Sequence, residues 1–475
     1  MKTFALLGLS AGAAIATDPC NGVFSTQAAC DAAAACTWCK SAAVPSACNT
    51  LANACDVKSE SKLSEVTFYV KHLPARQAEL LESFHAVSNP ESPTYGRHLS
   101  HADVVALQTP LASDVAAVLA HVEASGGSVT KESIAGDKIV AKVPLASLDD
   151  RSHAVWASID FVAGLNRTVR AAAPRRQRTT RSAAANPPAV RAGPQSCLAE
   201  CAVPPCIRSA YGLGATVGGT ANNSMAVIVN QAFHQTDLNG FCKEYKLTAC
   251  DKAVATVGDN SGSAGDEASL DVQYISATGQ GIPLTKVFIN GHSADPFSDW
   301  MTWVSNTTAV PYVHSLSVGE PEGEYASDNG GVKIIMRMNS ELAALGARGV
   351  SVIFASGDSG YVVEQKYPSS SPYVTSTGGV FNGELGDDVL QVDDIATGGF
   401  SSLDVNLIQP WQIKSVAAWE QTKGARPGKY NASHRCCPDL AIYDAGFYII
   451  QDGSSTPVRR ARSMDGATRA SLLLV

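Results

Sequence analysis

The sequence predicts an α/β protein: a mostly parallel sheet with helices on both faces, preceded by a smaller α/β unit and a cysteine-rich amino-terminal module. Three observations carry this. Beyond residue 197, short β-branched apolar runs alternate with stretches of helical period, the pattern of strands joined by helical crossovers. A smaller version of the same alternation occupies residues 64–167. Six of the 13 cysteines, Cys20, Cys30, Cys36, Cys39, Cys48 and Cys55, fall within residues 18–57. That density in an exported chain reads as a disulfide scaffold.

Residues 1–16 combine Lys2, an apolar run and Ala14-Ile15-Ala16, as a secretory signal peptide does. No other stretch reaches the roughly eighteen apolar residues that a membrane helix needs. The mature chain is therefore expected to be soluble and exported, with no membrane span. A net charge of −8 argues against nucleic acid as a partner. In the cysteine-rich module, Cys36-x-x-Cys39 also has the spacing of two zinc ligands, the alternative to a disulfide framework. The odd cysteine total leaves one thiol free, paired outside the chain, or without its partner.

Within residues 64–167, Val66–Val70 alternates as a strand and Gln77–Val87 has helical spacing. Asn89-Pro90 and Ser92-Pro93 break that helix. Ala112–Ala124 reads as a second helix and Lys138–Val143 as another strand. Residues 168–196 are arginine, alanine and proline with almost no large apolar residue, so they read as a flexible linker. Arg175-Arg176 is an accessible maturation site there, and polyanion binding is the other reading of the basic run. From Cys197 onward, strands are expected at Met225–Val229, Ile282–Phe288, Tyr312–Val318 and from Ser351. Helices are expected at Asp237–Tyr245, after the Gly-rich segment Ser261–Gly265, and at Ser340–Arg348. Asn166, Asn222, Asn306 and Asn431 head glycosylation sequons.

Two stretches carry chemistry. In Gly265-Asp266-Glu267-Ala268-Ser269-Leu270-Asp271, a helix projects Glu267 and Asp271 from one face, one turn apart. On a solvated face such a pair is mildly destabilising; in a cleft it shares protons and yields a general base in acid. Downstream, the strand Ser351-Val352-Ile353-Phe354-Ala355 runs into Ser356-Gly357-Asp358-Ser359-Gly360. Asp358 thus stands at a strand's carboxyl end, where open α/β sheets hold ligands.

The two motifs in this order resemble the sedolisin family of serine-carboxyl peptidases, in particular its tripeptidyl-peptidase branch. The resemblance extends over about residues 64–458 and includes Ser92–Ser100, Asp160–Leu165, Tyr367–Thr375, Gly398–Ser401 and Pro438–Ala441. It implies a subtilisin-like peptidase domain over 197–458, with 64–167 as an activation prodomain that inhibits its own catalytic domain. It implies a Ser-Glu-Asp triad with Glu267 as base, Asp271 as its partner, and Asp358 lining the oxyanion hole. Protonated Asp358 is a donor where a carboxylate is not, so activity is expected in acid and is lost toward neutrality. Peptide or unfolded-protein substrates, release of tripeptides from free amino termini, and residence outside the cell or in a lysosome or vacuole follow from the same resemblance. So does a calcium site, expected beyond the end of this chain.

The nucleophile departs from the family pattern. Where Gly-Thr-Ser is expected after Phe447–Gly453, the chain reads Ser454-Ser455-Thr456-Pro457-Val458-Arg459-Arg460-Ala461-Arg462. Gly466-Ala467-Thr468-Arg469-Ala470-Ser471 echoes the motif with Arg469 in the serine's place. Ser454, Ser455, Ser463 and Ser471 are therefore poor matches to the nucleophile's pattern. Residues 459–475 read as an unmatched tail, expected to arise from a frameshift or a gene-model error, with the true frame ending near Val458. Ser359 lies in a Gly-Asp-Ser-Gly like that of trypsin-like enzymes, but no histidine has their Ala-His-Cys context. His314, on an apolar strand, reads as a satisfied core histidine. Two functions follow: an acid serine-carboxyl peptidase made as a zymogen, or a catalytically silent peptide-binding descendant.

Overall fold

The computed structural model describes residues 36–39, 47–50, 63–165, 202–213, 223–289, 296–328, 330–360, 364–382, 390–392, 396–422, 430–444 and 446–458. The segments expected to be signal peptide (1–16) and linker (168–196), most of residues 18–57, and residues 459–475 lie outside them. From that module, strands β1 (Cys36–Cys39) and β2 (Ala47–Thr50) pair antiparallel. They belong to a separate compact unit, residues 1–64 with 144–149.

The second unit starts at Glu65, within β3 (Leu63–Val70), and continues with α1 (Pro74–Ser88), α2 (His101–Gln108) and α3 (Ala112–Ala124). β4 (Ser128–Glu132), β5 (Lys138–Pro144) and β6 (Ile159–Ala163) complete a four-stranded sheet of order β4-β5-β3-β6. α1 opens with Pro74 at its first position, where a missing N–H costs nothing. α2, not anticipated from sequence, is fixed by a capping box: Ser100 accepts from the Asp103 amide while Asp103 accepts from the Ser100 amide.

The larger part runs α4 (Pro204–Ala210), β7 (Met225–Val229), α5 (Gln235–Glu244), β8 (Ala255–Val257), α6 (Asp266–Thr278), β9 (Leu284–Phe288), α7 (Pro296–Asn306) and β10 (Val313–Leu316). Then come α8 (Glu322–Asp328), α9 (Val332–Ala347), β11 (Ser351–Ala355), β12 (Thr375–Asn382), β13 (Leu390–Val392), α10 (Pro410–Glu420) and β14 (Leu440–Tyr443). A hairpin of β15 (Phe447–Gln451) and β16 (Ser454–Val458) closes it. The sheet has eight strands in the order β13-β12-β11-β10-β7-β9-β8, with β14 also paired to β12. Every pairing is parallel except β12 with β13.

Parallel strands are covered on both faces, so they read as continuous apolar runs. β7 shows it: Met225, Val227 and Val229 join one core with α4, α5, α6 and the hairpin, and Ala226 and Ile228 join the other with α7 and α9. The expected strand at Tyr312–Val318 is shorter, and the helix expected at Ser340–Arg348 starts eight residues earlier. Its stripe Ile334, Ile335, Met338, Leu342 and Leu345 is core, whereas the buried Arg337 interrupts the apolar pattern and hides the first two turns from sequence.

The amino-terminal sheet unit docks on α9. Leu80, Phe84 and Val104 pack on Ala343, Ala344 and Ala347. A Cβ on Gly346 would meet Phe84 at 2.4 Å, so glycine there permits α1 to approach. His314 is fully buried, accepts from Trp300 Nε1 at 3.0 Å, and is lowered by burial to about 3, as befits a neutral core histidine. Cys242 and Cys250 form a disulfide, and Cys436 and Cys437 are thiols. Burial pushes those thiols up to about 11 and about 12, so they stay protonated. At the sequon Asn306, the side-chain amide donates to Glu132 O and accepts from the Ile134 amide, both in the amino-terminal sheet unit.

Candidate active site

The site is organised by α6. Gly265 precedes it, and a Cβ there would lie 2.0 Å from Gln231 Oε1, the atom that accepts from the Ala268 amide. Glycine thus lets Gln231 satisfy one of the orphan amides of the first turn. Every residue from Glu267 to Thr278 is buried, because the sheet, α4, α5 and the hairpin enclose the helix. On one side Gln273 exchanges two hydrogen bonds with Ile450 (2.6 and 2.9 Å), and Tyr274 Oη bonds the Tyr448 backbone.

Glu267 and Asp271 are 7% and 0% exposed, so neither faces solvent. Glu267 lies in the first turn, where the helix dipole favours its anion. Ser317 Oγ donates to both oxygens of Asp271 (3.0 and 2.9 Å). Ser317 directly follows β10, and Leu316 is in register with Phe354 of β11, which leads into Asp358. Asp271 is thereby tied to the strand end beside the one that carries Asp358. That bond was not visible in the sequence; a serine just past a strand end gives no signal of its own.

The loop bearing Asp358 is pinned by Thr397. Thr397 Oγ1 accepts from the Ser359 amide at 2.8 Å, and its amide donates to Gly357 O at 2.7 Å. Gly357 adopts φ +107°, and a Cβ there would press on Lys366 and Thr397, so the turn requires glycine. The family-like segments downstream converge on two carboxylates, the buried Glu322 and the partly exposed Asp439. Glu322 accepts from Ser370 (2.8 Å), Ser401 (2.8 Å) and Ser402 (2.8 Å) hydroxyls. Asp439 pairs with Arg435 and accepts from the Ser376 amide. Ser454 and Ser455 sit in the hairpin, in register with Gln451 and Ile450; Ser463 and Ser471 lie outside the described residues.

A second polar cluster joins the amino-terminal sheet unit to α9. Arg337 Nη2 donates to Asp137 Oδ2 at 2.8 Å and to Asp137 O at 3.1 Å, and Nη1 donates to Val70 O at 3.2 Å. Lys138 Nζ lies 3.1 Å from Glu341, which also accepts from Gln108 at 2.9 Å, and His72 bonds Asp137 at 2.9 Å. Burial pushes the Asp137 carboxyl up, but Lys138, Arg337 and His72 outweigh it and hold it well below its usual range. Burial and then Arg337 push His72 down from 6.5, against Asp137.

Residues 52–150 match the family described as Pro-kumamolisin, activation domain. Tripeptidyl-peptidase 1 of Mus musculus is 31% identical, over 83% of this chain and 75% of the mouse protein; that of Rattus norvegicus gives the same figures. Among solved structures, a Pseudomonas sedolisin described as a serine-carboxyl proteinase aligns at 19% identity and a TM-score of 0.39. It covers 56% of this chain and 76% of that one. With that identity sustained over most of both chains, this protein belongs to the tripeptidyl-peptidase branch of the sedolisin family, a family of serine-type peptidases with an activation prodomain.

Proposed function

We propose that the chain is the zymogen of an acid-active serine-carboxyl peptidase that removes tripeptides from the amino termini of peptides in the secretory pathway. The observation that carries the reading is the buried pair Glu267 and Asp271, one helical turn apart, with Asp271 bonded to the strand end next to Asp358. Two carboxylates share a dry helix face, where one of them is easily kept protonated or made basic by the other. Glu267 takes the proton of the attacking hydroxyl and Asp271 orients it. Asp358, protonated in acid, donates to the oxyanion that develops on the scissile carbonyl. The mouse and rat relatives carry the name tripeptidyl-peptidase, which supports tripeptide release.

The part running from residue 64 to 167 is the prodomain in this reading, and 197–458 the peptidase domain. Calcium takes six to eight oxygen ligands. Among the described residues, the two clusters with metal-donor spacing each include a histidine, so neither fits calcium. A second reading, a silent peptide-binding homologue, is favoured by the Arg459-Arg460-Ala461-Arg462 run where the family has its nucleophile motif. Incubating the acid-treated protein with a peptide of free amino terminus decides between them: tripeptide release supports the first, and binding without cleavage the second.

A further inference from the structure

The start of α5 and the tip of the β15–β16 hairpin bring together three donors that the peptidase reading does not use. His234 caps α5, Asp237 lies in its first turn, and Asp452 is at the hairpin turn. The donor atoms of all three lie within 4.8 Å of one another. Asp237 is buried, and its oxygens accept from the Asp452 and Gly453 amides at 3.0 and 2.9 Å, which fixes the carboxylate and the hairpin turn together. The Asp452 side chain is 70% exposed, so the cluster opens to solvent.

We propose that His234, Asp237 and Asp452 bind one zinc-class divalent cation. Two independent features support it. First, His234 Nε2 is 3.1 Å from Gly262 O, which can only accept. The proton is therefore on Nε2, and in the neutral ring Nδ1 presents its lone pair to the carboxylates. A backbone carbonyl holding one ring nitrogen is how metal-binding histidines are oriented. Second, Nδ1 is 3.7 Å from Asp237 Oδ2 and 3.7 Å from Asp452 Oδ1. These gaps are too long for hydrogen bonds. They are near the spacing of about 3.4 Å between two ligands bonded tetrahedrally at about 2.1 Å to zinc. One nitrogen and two carboxylate oxygens suit a borderline ion, with water completing the shell. Among the described residues no lysine or arginine is ion-paired to either aspartate. The cation would clamp the hairpin tip to α5 and, through Gly262, to the loop that enters α6 ahead of Glu267.

The test uses the full-length proenzyme, stripped with chelator and titrated with zinc chloride and then cobalt chloride at neutral pH. Asp452→Asn keeps a residue tolerant of the φ of +50° found there; His234→Ala is the second variant. The expected result is one equivalent of metal present in the wild type and lost, or bound at least tenfold more weakly, in both variants. Cobalt at this site should show ligand-field bands without thiolate charge transfer, which separates it from any cysteine-bound metal. A melting temperature that rises with zinc in the wild type but not in Asp452→Asn is the accompanying readout. Equal stoichiometry and affinity in wild type and Asp452→Asn, or no zinc bound outside thiolates, overturns the proposal.

Discussion

Replacing Arg337 with methionine tests how the amino-terminal sheet unit is held. The guanidinium is 3% exposed and makes three hydrogen bonds to that unit, one to a carboxylate and two to the backbone carbonyls of Val70 and Asp137. Methionine fills most of the space but leaves Asp137, 2% exposed, with Ser133, Lys138 and His72 as its remaining partners. Breaking a buried ion pair from one side costs about 3–5 kcal/mol, because a charge is left without its compensation. At about 1.4 kcal/mol per tenfold, docking weakens by about two to three and a half orders of magnitude. The assay cuts the proenzyme in the linker at neutral pH and follows retention of the released segment on the rest by gel filtration against dilution. Retention within threefold of wild type would refute the claim that this cluster carries the docking, and leave the apolar contact of Phe84 with α9 as its source.

The pH dependence of the same contact has a definite sign. The docked His72 has a pKa below its free value of 6.5, so docking is strongest above that value and weakens as pH falls below it. Asp137 is held well below 3.8, so its contribution persists until the pH is lower still. His72→Gln should therefore flatten the loss of retention just below pH 6.5, as read by gel filtration across pH. Ser317→Ala removes the hydroxyl proton shared by the two oxygens of Asp271; at about 1.5–3 kcal/mol for a bond to a charged group, peptidase kcat should fall roughly ten- to a hundredfold with the fold intact. Replacing Cys242 and Cys250 with alanine opens a loop of sequence separation 8 and should lower unfolding free energy by about 2–3 kcal/mol in urea titration.

The elements that sequence revealed best are those whose signal is local. β7 and β11 are apolar on both faces and were legible as runs, and α6 was legible from the glycine before it and the acidic pair inside it. α2 went unseen because its capping box is short and its apolar period brief. The first half of α9 went unseen because Arg337 is charged yet buried, and its partners are Glu341 one turn on and Val70 and Asp137 of the amino-terminal unit opposite. Likewise Ser317, Thr397 and Glu322 are ordinary polar residues in sequence; their roles come from strand register and from loops far apart in the chain. The resemblance to sedolisins supplied roles that spacing alone left open between a solvated face and a cleft.

Glu267 as the catalytic base of an acid peptidase is tested most directly by tripeptide release from the acid-treated protein and its Glu267→Gln variant. Release is expected at acid pH, declines toward neutrality, and falls at least a hundredfold in the variant. Release that is unchanged by Glu267→Gln, or that is greatest at neutral pH, would contradict it.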